Sequence, residues 1–218
     1  QLFRDAEIMQ ILFNTIWPAL AAALLSTVLG TAGAIGIFYS KRKFAKPLQA
    51  VSQIPVINAE IVTAISLALL FSAVFLYRTY LSLIVGHMVL CTPFVVLSVM
   101  PKLKQMDPNI YEAALDLGAS PSAALFKVVI PQIFSGIVSG FMLSITLSLD
   151  DYIVTAFTKP PMFDTISTYV YNAVKNGTNS STPALRALSA LIFIVMIAVL
   201  LAINLRARRP AAKKEAAQ

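Results

Sequence analysis

The chain has 218 residues, 58% of them hydrophobic and only 12% charged, with a mean hydropathy of +0.78. A soluble domain carries about 25% charged residues, so this composition excludes an ordinary soluble enzyme and indicates one integral membrane domain over 1–218. A formal net charge of +7 would suit nucleic acid, but the basic residues sit in short clusters between apolar runs, which argues against that partner.

In chain order the first apolar run, from about Ile16 to Tyr39, is long enough to cross a bilayer as a helix, which takes ~20 residues. Ala22, Ser26 and Gly30 recur every four residues along it, and Gly33 and Gly36 extend a small-residue face suited to close helix packing. A basic cluster follows at Lys41, Arg42, Lys43 and Lys46. The second run spans Val56–Leu76 and the third Leu81–Met100, with Trp17, Tyr77 and Tyr80 near run ends as interfacial anchors.

The segment of residues 107–131 is amphipathic. Asp107-Pro108 reads as a helix start, Glu112–Asp116 favours helix, Gly118 stops it, and Ser120-Pro121 starts a second short helix. A fourth run from Val128 to Phe157 carries acids within it, and a fifth covers Ala187–Leu205. The remaining residues, 206–218, form a polar tail.

Charge sets the orientation. Lys41–Lys46, then Lys102, Lys104 and Lys127, then Arg206, Arg208, Arg209, Lys213 and Lys214 fall on one side by parity. The other side holds Arg4, Arg78, Lys159, Lys175 and Arg186. The positive-inside rule makes the richer side cytoplasmic, so the helix–Gly–helix loop faces the cytoplasm. Five spans ending inside place Gln1 outside. Gln1–Gln10 carries no apolar signal region, and we expect a sixth span ahead of it, against a genuine five-span alternative.

No catalytic constellation is visible. There is one histidine, His87, and one cysteine, Cys91. Neither belongs to a metal-ligand spacing, and there is no phosphate-binding glycine loop, so ATP hydrolysis is expected from another chain. A lone intramembrane histidine is more often packed and hydrogen-bonded than a ligand.

The acids are the sharper feature. Asp150 and Asp151 lie within the fourth run, where a charge costs on the order of 2.5–3.5 kcal/mol on insertion scales. On a continuous helix Gly140, Ser144, Ser148, Asp151 and Thr155 share one stripe, with Asp150 on a neighbouring one. This places Asp151 on the pathway side and Asp150 toward a partner helix; a purely structural pairing of the acids stays open. Glu60 heads the second run and either joins the pathway or caps and snorkels. Tyr152 and Tyr169 could add cation–π contacts of roughly 0.5–2 kcal/mol.

The loop resembles the EAA loop of the membrane subunits of bacterial ABC importers: Glu-Ala-Ala, three residues, Gly, nine residues, then Ile-x-Leu-Pro. Glu112, Ala113, Ala114, Gly118 and Pro131 match in register, with Val128 and Ile130 at the Ile and Leu positions. Ile54–Phe71, His87–Val99, Glu112–Ser120 and Ser148–Phe157 together resemble the C-type permease subunit of spermidine/putrescine importers. At Glu60 this chain keeps the acid but has Ala59 where the family often has Pro.

The resemblance implies an all-α type I importer transmembrane domain in the bacterial inner membrane, with Glu112, Ala113, Ala114 and Gly118 coupling to an ATPase. Its Leu-Asp-Asp run and Glu60 point to polyamines, and together with the stripe they make Glu60, Ser144, Ser148, Asp150, Asp151, Tyr152 and Thr155 the expected pathway residues. It implies as partners a second permease, two copies of a cytoplasmic ATPase that bind ATP and Mg, and an extracytoplasmic binding protein, with no cofactor in this chain. Transport of 4-aminobutyrate or another amine, and an ion-coupled secondary transporter, are the alternatives.

Overall fold

The computed structural model describes residues 6–107 and 109–175, and all regular structure among them is helical. Helix α1 spans Ala6–Tyr39, α2 Arg42–Ile57, α3 Glu60–Ala73 and α4 Tyr80–Gln105. Helix α5 spans Ile110–Asp116 and α6 Pro121–Ala124; a π-helical turn at Leu125–Val129 leads into α7, Ile130–Asp150. Helices α8, Ile153–Thr158, and α9, Ile166–Lys175, complete the set.

The described residues fall into two compact units, one of residues 16–163 and one combining 6–15 with 164–175. In the second, Thr15 Oγ1 donates to the Ile11 carbonyl at 2.8 Å and accepts from Ile166 N at 2.9 Å. Asn14 Nδ2 donates to the Asp164 carbonyl there, at 3.4 Å.

The centre of the larger unit is the seam between α4 and α7. Lipid tails are as apolar as leucine, so helices associate in a bilayer through close van der Waals packing and interhelical hydrogen bonds. The seam is built that way, with antiparallel steps of four residues. His87 hydrogen-bonds Ser148 Oγ, and Cys91 Sγ donates to the Ser144 carbonyl at 3.4 Å. Val95 lies on Gly140, where an added Cβ would stand 3.2 Å from Val95 Cα, and Gly136 faces Ser98 and Lys102.

Helix α1 reaches the other side of Val95 through Gly30, where a Cβ would stand 2.6 Å from Val95 Cβ. Ala22 and Ser26 are buried as the small-residue spacing implies. Gly33 and Gly36 make no comparably tight contact. Toward the basic end, Ala34, Ile37, Val96, Val99, Met100, Leu103, Val129 and Ile133 form the core, and Ile110 and Tyr111 of α5 pack against it.

Among the described residues three helices are long and apolar enough to cross a membrane: Met9–Tyr39, Tyr80–Gln105 and Pro121–Asp150. Two expectations need correction. The run Val56–Leu76 is not one straight span. Asn58 and Ala59 are extended, and the axis bends by 103° between Lys43–Ile57 and Glu60–Ala73. Helix α3 alone covers about 21 Å, short of the ~30 Å hydrocarbon core, so only the bent pair together could span it.

The fourth run, Val128–Phe157, is likewise broken, because α7 stops at Asp150. Asp151 is extended, and its carboxylate takes the amides of Val154 (3.2 Å) and Thr155 (2.7 Å), which restarts the chain as α8. The expected fifth span, Ala187–Leu205, and the tail of 206–218 lie outside the described residues.

The helix–Gly–helix reading of the loop holds. Gly118, at φ +85°, closes α5 with Gly118 N on the Leu115 carbonyl (2.9 Å) and Ala119 N on the Ala114 carbonyl (3.0 Å), a Schellman arrangement. Ser120 caps α6 by accepting from Ala123 N at 3.3 Å. The α5 start is shifted: Asn109 is the cap residue, and Asp107 Oδ1 accepts from Asn109 N at 2.9 Å within the preceding turn.

Candidate functional site

The two helix breaks face one cavity of about 580 Å³. Pro55, Val56, Asn58 and Glu60 line it from the α2–α3 break, and Asp150, Asp151, Tyr152 and Ile153 from the α7–α8 break. Leu90 and Phe94 of α4 and Thr146 and Leu147 of α7 close the wall. Three acids, two aromatic rings and the polar Asn58 and Thr146 thus border a space otherwise lined by aliphatic side chains. Among the described residues no cluster of His, Cys, Asp or Glu is suited to a metal ion.

Glu60 and Asp150 are exposed, whereas the Asp151 side chain is closed off from solvent. Glu60 and Asp151 line the same cavity from opposite breaks. Behind Asp151 lies a buried polar network. Thr155 Oγ1 donates to Asp151 Oδ2 at 2.8 Å, and His87 Nε2 lies 2.9 Å from Thr155 Oγ1 and 3.4 Å from Asp151 Oδ2. His87 is therefore the packed, hydrogen-bonded histidine that its isolation suggests.

The structure brings Glu60, Asp150, Asp151 and Tyr152 together and leaves three other candidates out. Ser144, Ser148 and Thr155 are buried in the packing against α4 and do not line the cavity. The stripe that joins them to Asp151 is real, but it faces α4. Small hydroxyl residues let α7 approach α4 closely, and Ser144 meets its hydrogen-bonding need on the Gly140 carbonyl at 2.9 Å.

Of the two acids Asp151 is buried and Asp150 exposed in this chain, and both line the cavity. Tyr169 lies on α9 and is not among the lining residues. Leu90 and Phe94 were not legible as site residues. The signal that could have exposed the second break is Asp151 three and four positions ahead of Val154 and Thr155, a helix N-cap spacing.

At the basic end, the outward face of α5 carries Glu112, Ala113 and Asp116, followed by Leu117, which is 90% exposed. The opposite face is anchored by the Tyr111 ring against Tyr39 of α1, with centroids 5.0 Å apart.

The family described as "binding-protein-dependent transport system inner membrane component" matches the chain over residues 26–209. The chain is 31% identical over 208 residues to the spermidine/putrescine transport system permease protein PotC of Escherichia coli strain K12, covering 95% of this chain and 77% of that one. Against PotC of Haemophilus influenzae it is 29% identical over 209 residues, covering 96% and 80%. It is 33% identical over 203 residues to the putrescine transport system permease protein PotI of E. coli K12, covering 88% and 70%.

Among solved structures, an amino acid ABC transporter determined with histidines aligns with a TM-score of 0.67 at 15% identity, covering 96% of this chain and 98% of that one. The MetNI methionine ABC transporter, in an inward-facing form, aligns at 0.62 and 17% identity, covering 91% and 98%. These two carry the fold alone. With the family matched over most of its length and PotC- and PotI-type permeases as its relatives, the chain belongs to the binding-protein-dependent transport system inner membrane components, as an ABC transporter permease subunit.

Proposed function

We propose that this chain forms half of the membrane pathway of an ATP-driven polyamine importer, and that the cavity between the two helix breaks is where an ammonium group is held in passage. The convergence of Glu60, Asp150 and Asp151 on one partly apolar space carries this reading. A polyamine alternates cationic nitrogens with methylene segments. Carboxylates neutralise the former, more strongly in a low-dielectric path than in water, while Leu90, Leu147 and Ile153 suit the latter. Tyr152 and Phe94 offer ring faces worth roughly 0.5–2 kcal/mol to a cation. The relatives' names, spermidine and putrescine permeases, support the same substrate class.

The coupling element is the α5 hairpin, with Glu112, Ala113, Ala114 and Gly118 in the matched register. Its exposed face docks on a cytoplasmic ATPase, two copies of which serve two permeases, and that ATPase holds ATP and Mg. A second, different permease completes the pathway, and a binding protein delivers substrate from outside. This chain contributes no cofactor and no hydrolytic chemistry.

The test is uptake by the reconstituted complex in liposomes, with binding protein supplied and labelled putrescine and spermidine as substrates. Uptake should require ATP and should resist excess 4-aminobutyrate. Glu60→Gln and Asp150→Asn should each lower it at least tenfold, corresponding to about 1.4 kcal/mol in the barrier. Uptake driven by a proton gradient without the ATPase, a preference for 4-aminobutyrate, or full activity in both acid variants would overturn the reading.

A further inference from the structure

His87 lies on α4, away from the cavity, yet it touches both sides of the α7–α8 break. Its Nδ1 meets Ser148 Oγ, in the last turn of α7, and its Nε2 meets Thr155 Oγ1, in the first turn of α8. One order of protons satisfies the chain. The Asp151 carboxylate only accepts, and the Thr155 hydroxyl, 2.8 Å from Asp151 Oδ2 and 3.1 Å from the Asp151 carbonyl, donates to Asp151 in either case. The Thr155 oxygen then receives the Nε2–H of His87, and in the neutral ring Nδ1 is left to accept from the Ser148 hydroxyl.

Asp151 is therefore held on both oxygens. Val154 N donates to Oδ1, while Thr155 N and Thr155 Oγ1 donate to Oδ2.

We propose that His87 is a positioning residue for substrate binding: acting through Thr155, it fixes the Asp151 carboxylate at the wall of the cavity. This rests on the reading of the cavity as the ammonium site. Ser148 and Thr155, absent from the cavity wall, are members of the same support. A carboxylate at a chain break has no helical backbone on one side to define its direction. The imidazole, braced from both helix ends, supplies that definition.

The experiment measures apparent KM and maximal rate of spermidine uptake in liposomes at saturating binding protein, for the whole reconstituted complex. Thr155→Val keeps the shape and removes the relay hydroxyl. It should raise apparent KM about tenfold with the maximal rate within twofold, while Thr155→Ser should stay near wild type. His87→Gln, which keeps one donor and one acceptor, should fall between them. Added to Asp151→Asn, neither Thr155→Val nor His87→Gln should worsen KM further.

If His87→Gln does not assemble, the Thr155 pair and its combination with Asp151→Asn decide alone. Independent, multiplying effects in the double variants would overturn the positioning role while leaving the cavity assignment standing. So would a loss of maximal rate, with KM unchanged, in Thr155→Val. An Asp151→Asn protein with wild-type KM would overturn the role of Asp151 in the cavity, and with it this proposal.

Discussion

Val95 shows how much at the residue scale depends on hydrogen atoms in place of methyl groups. It is clamped between Gly30 of α1 and Gly140 of α7. A methyl at Gly30 would stand 2.6 Å from Val95 Cβ, 2.8 Å from its Cγ1 and 3.0 Å from the Thr92 carbonyl, so backbone must move. Gly30→Ala should therefore cost about 1–3 kcal/mol. Gly36→Ala meets nothing within 4 Å and should be neutral or gain up to ~1 kcal/mol from helix propensity. Thermal unfolding of the detergent-purified complex would separate the two, and equal midpoints would refute the clamp. Small-residue spacing pointed to this face correctly at Ala22, Ser26 and Gly30 but could not rank its members. Only the partner side chain opposite each glycine does that.

At the scale of elements, long helices were legible and breaks were not. Hydropathy counts apolar residues and is blind to direction, so Asn58-Ala59 and Asp151-Tyr152 passed as interior positions of continuous spans. Both breaks are polar side-chain or backbone events inside apolar sequence, and the Asp151 cap outcompetes helical continuation locally. The coupling hairpin was legible because its signals are chemical: a serine cap, a proline at the start of α6, and a glycine where φ is +85°. Gly118→Val puts a β-branched residue at that φ, at a cost of at least ~1 kcal/mol. The variant should insert in the membrane yet lose most substrate-stimulated ATPase activity. Normal stimulation in an inserted variant would remove the hairpin from the transmission path.

At the scale of the whole molecule, family and membrane class followed from composition and from the loop spacing, but the site did not. Glu60 and Asp151 are 91 residues apart in the chain, and no local pattern announces that their breaks converge. The inside–outside assignment rests on the lysine and arginine asymmetry and can be checked directly. Cys91 is the single cysteine and is fully buried, so background labelling should be low. A cysteine at Ser122 should react only from the cytoplasm, and one at Phe75, which is 96% exposed between α3 and α4, only from outside. The reverse pattern would invert the topology.

The α4–α7 seam has a mechanical consequence. Its matched positions recur every four residues on both helices, so the two surfaces fit again only after a slide of about 6 Å. Smaller slides drive Val95 into the ridge between Gly140 and Ser144 and pull His87 away from Ser148. The pair therefore behaves as a lever with widely spaced detents.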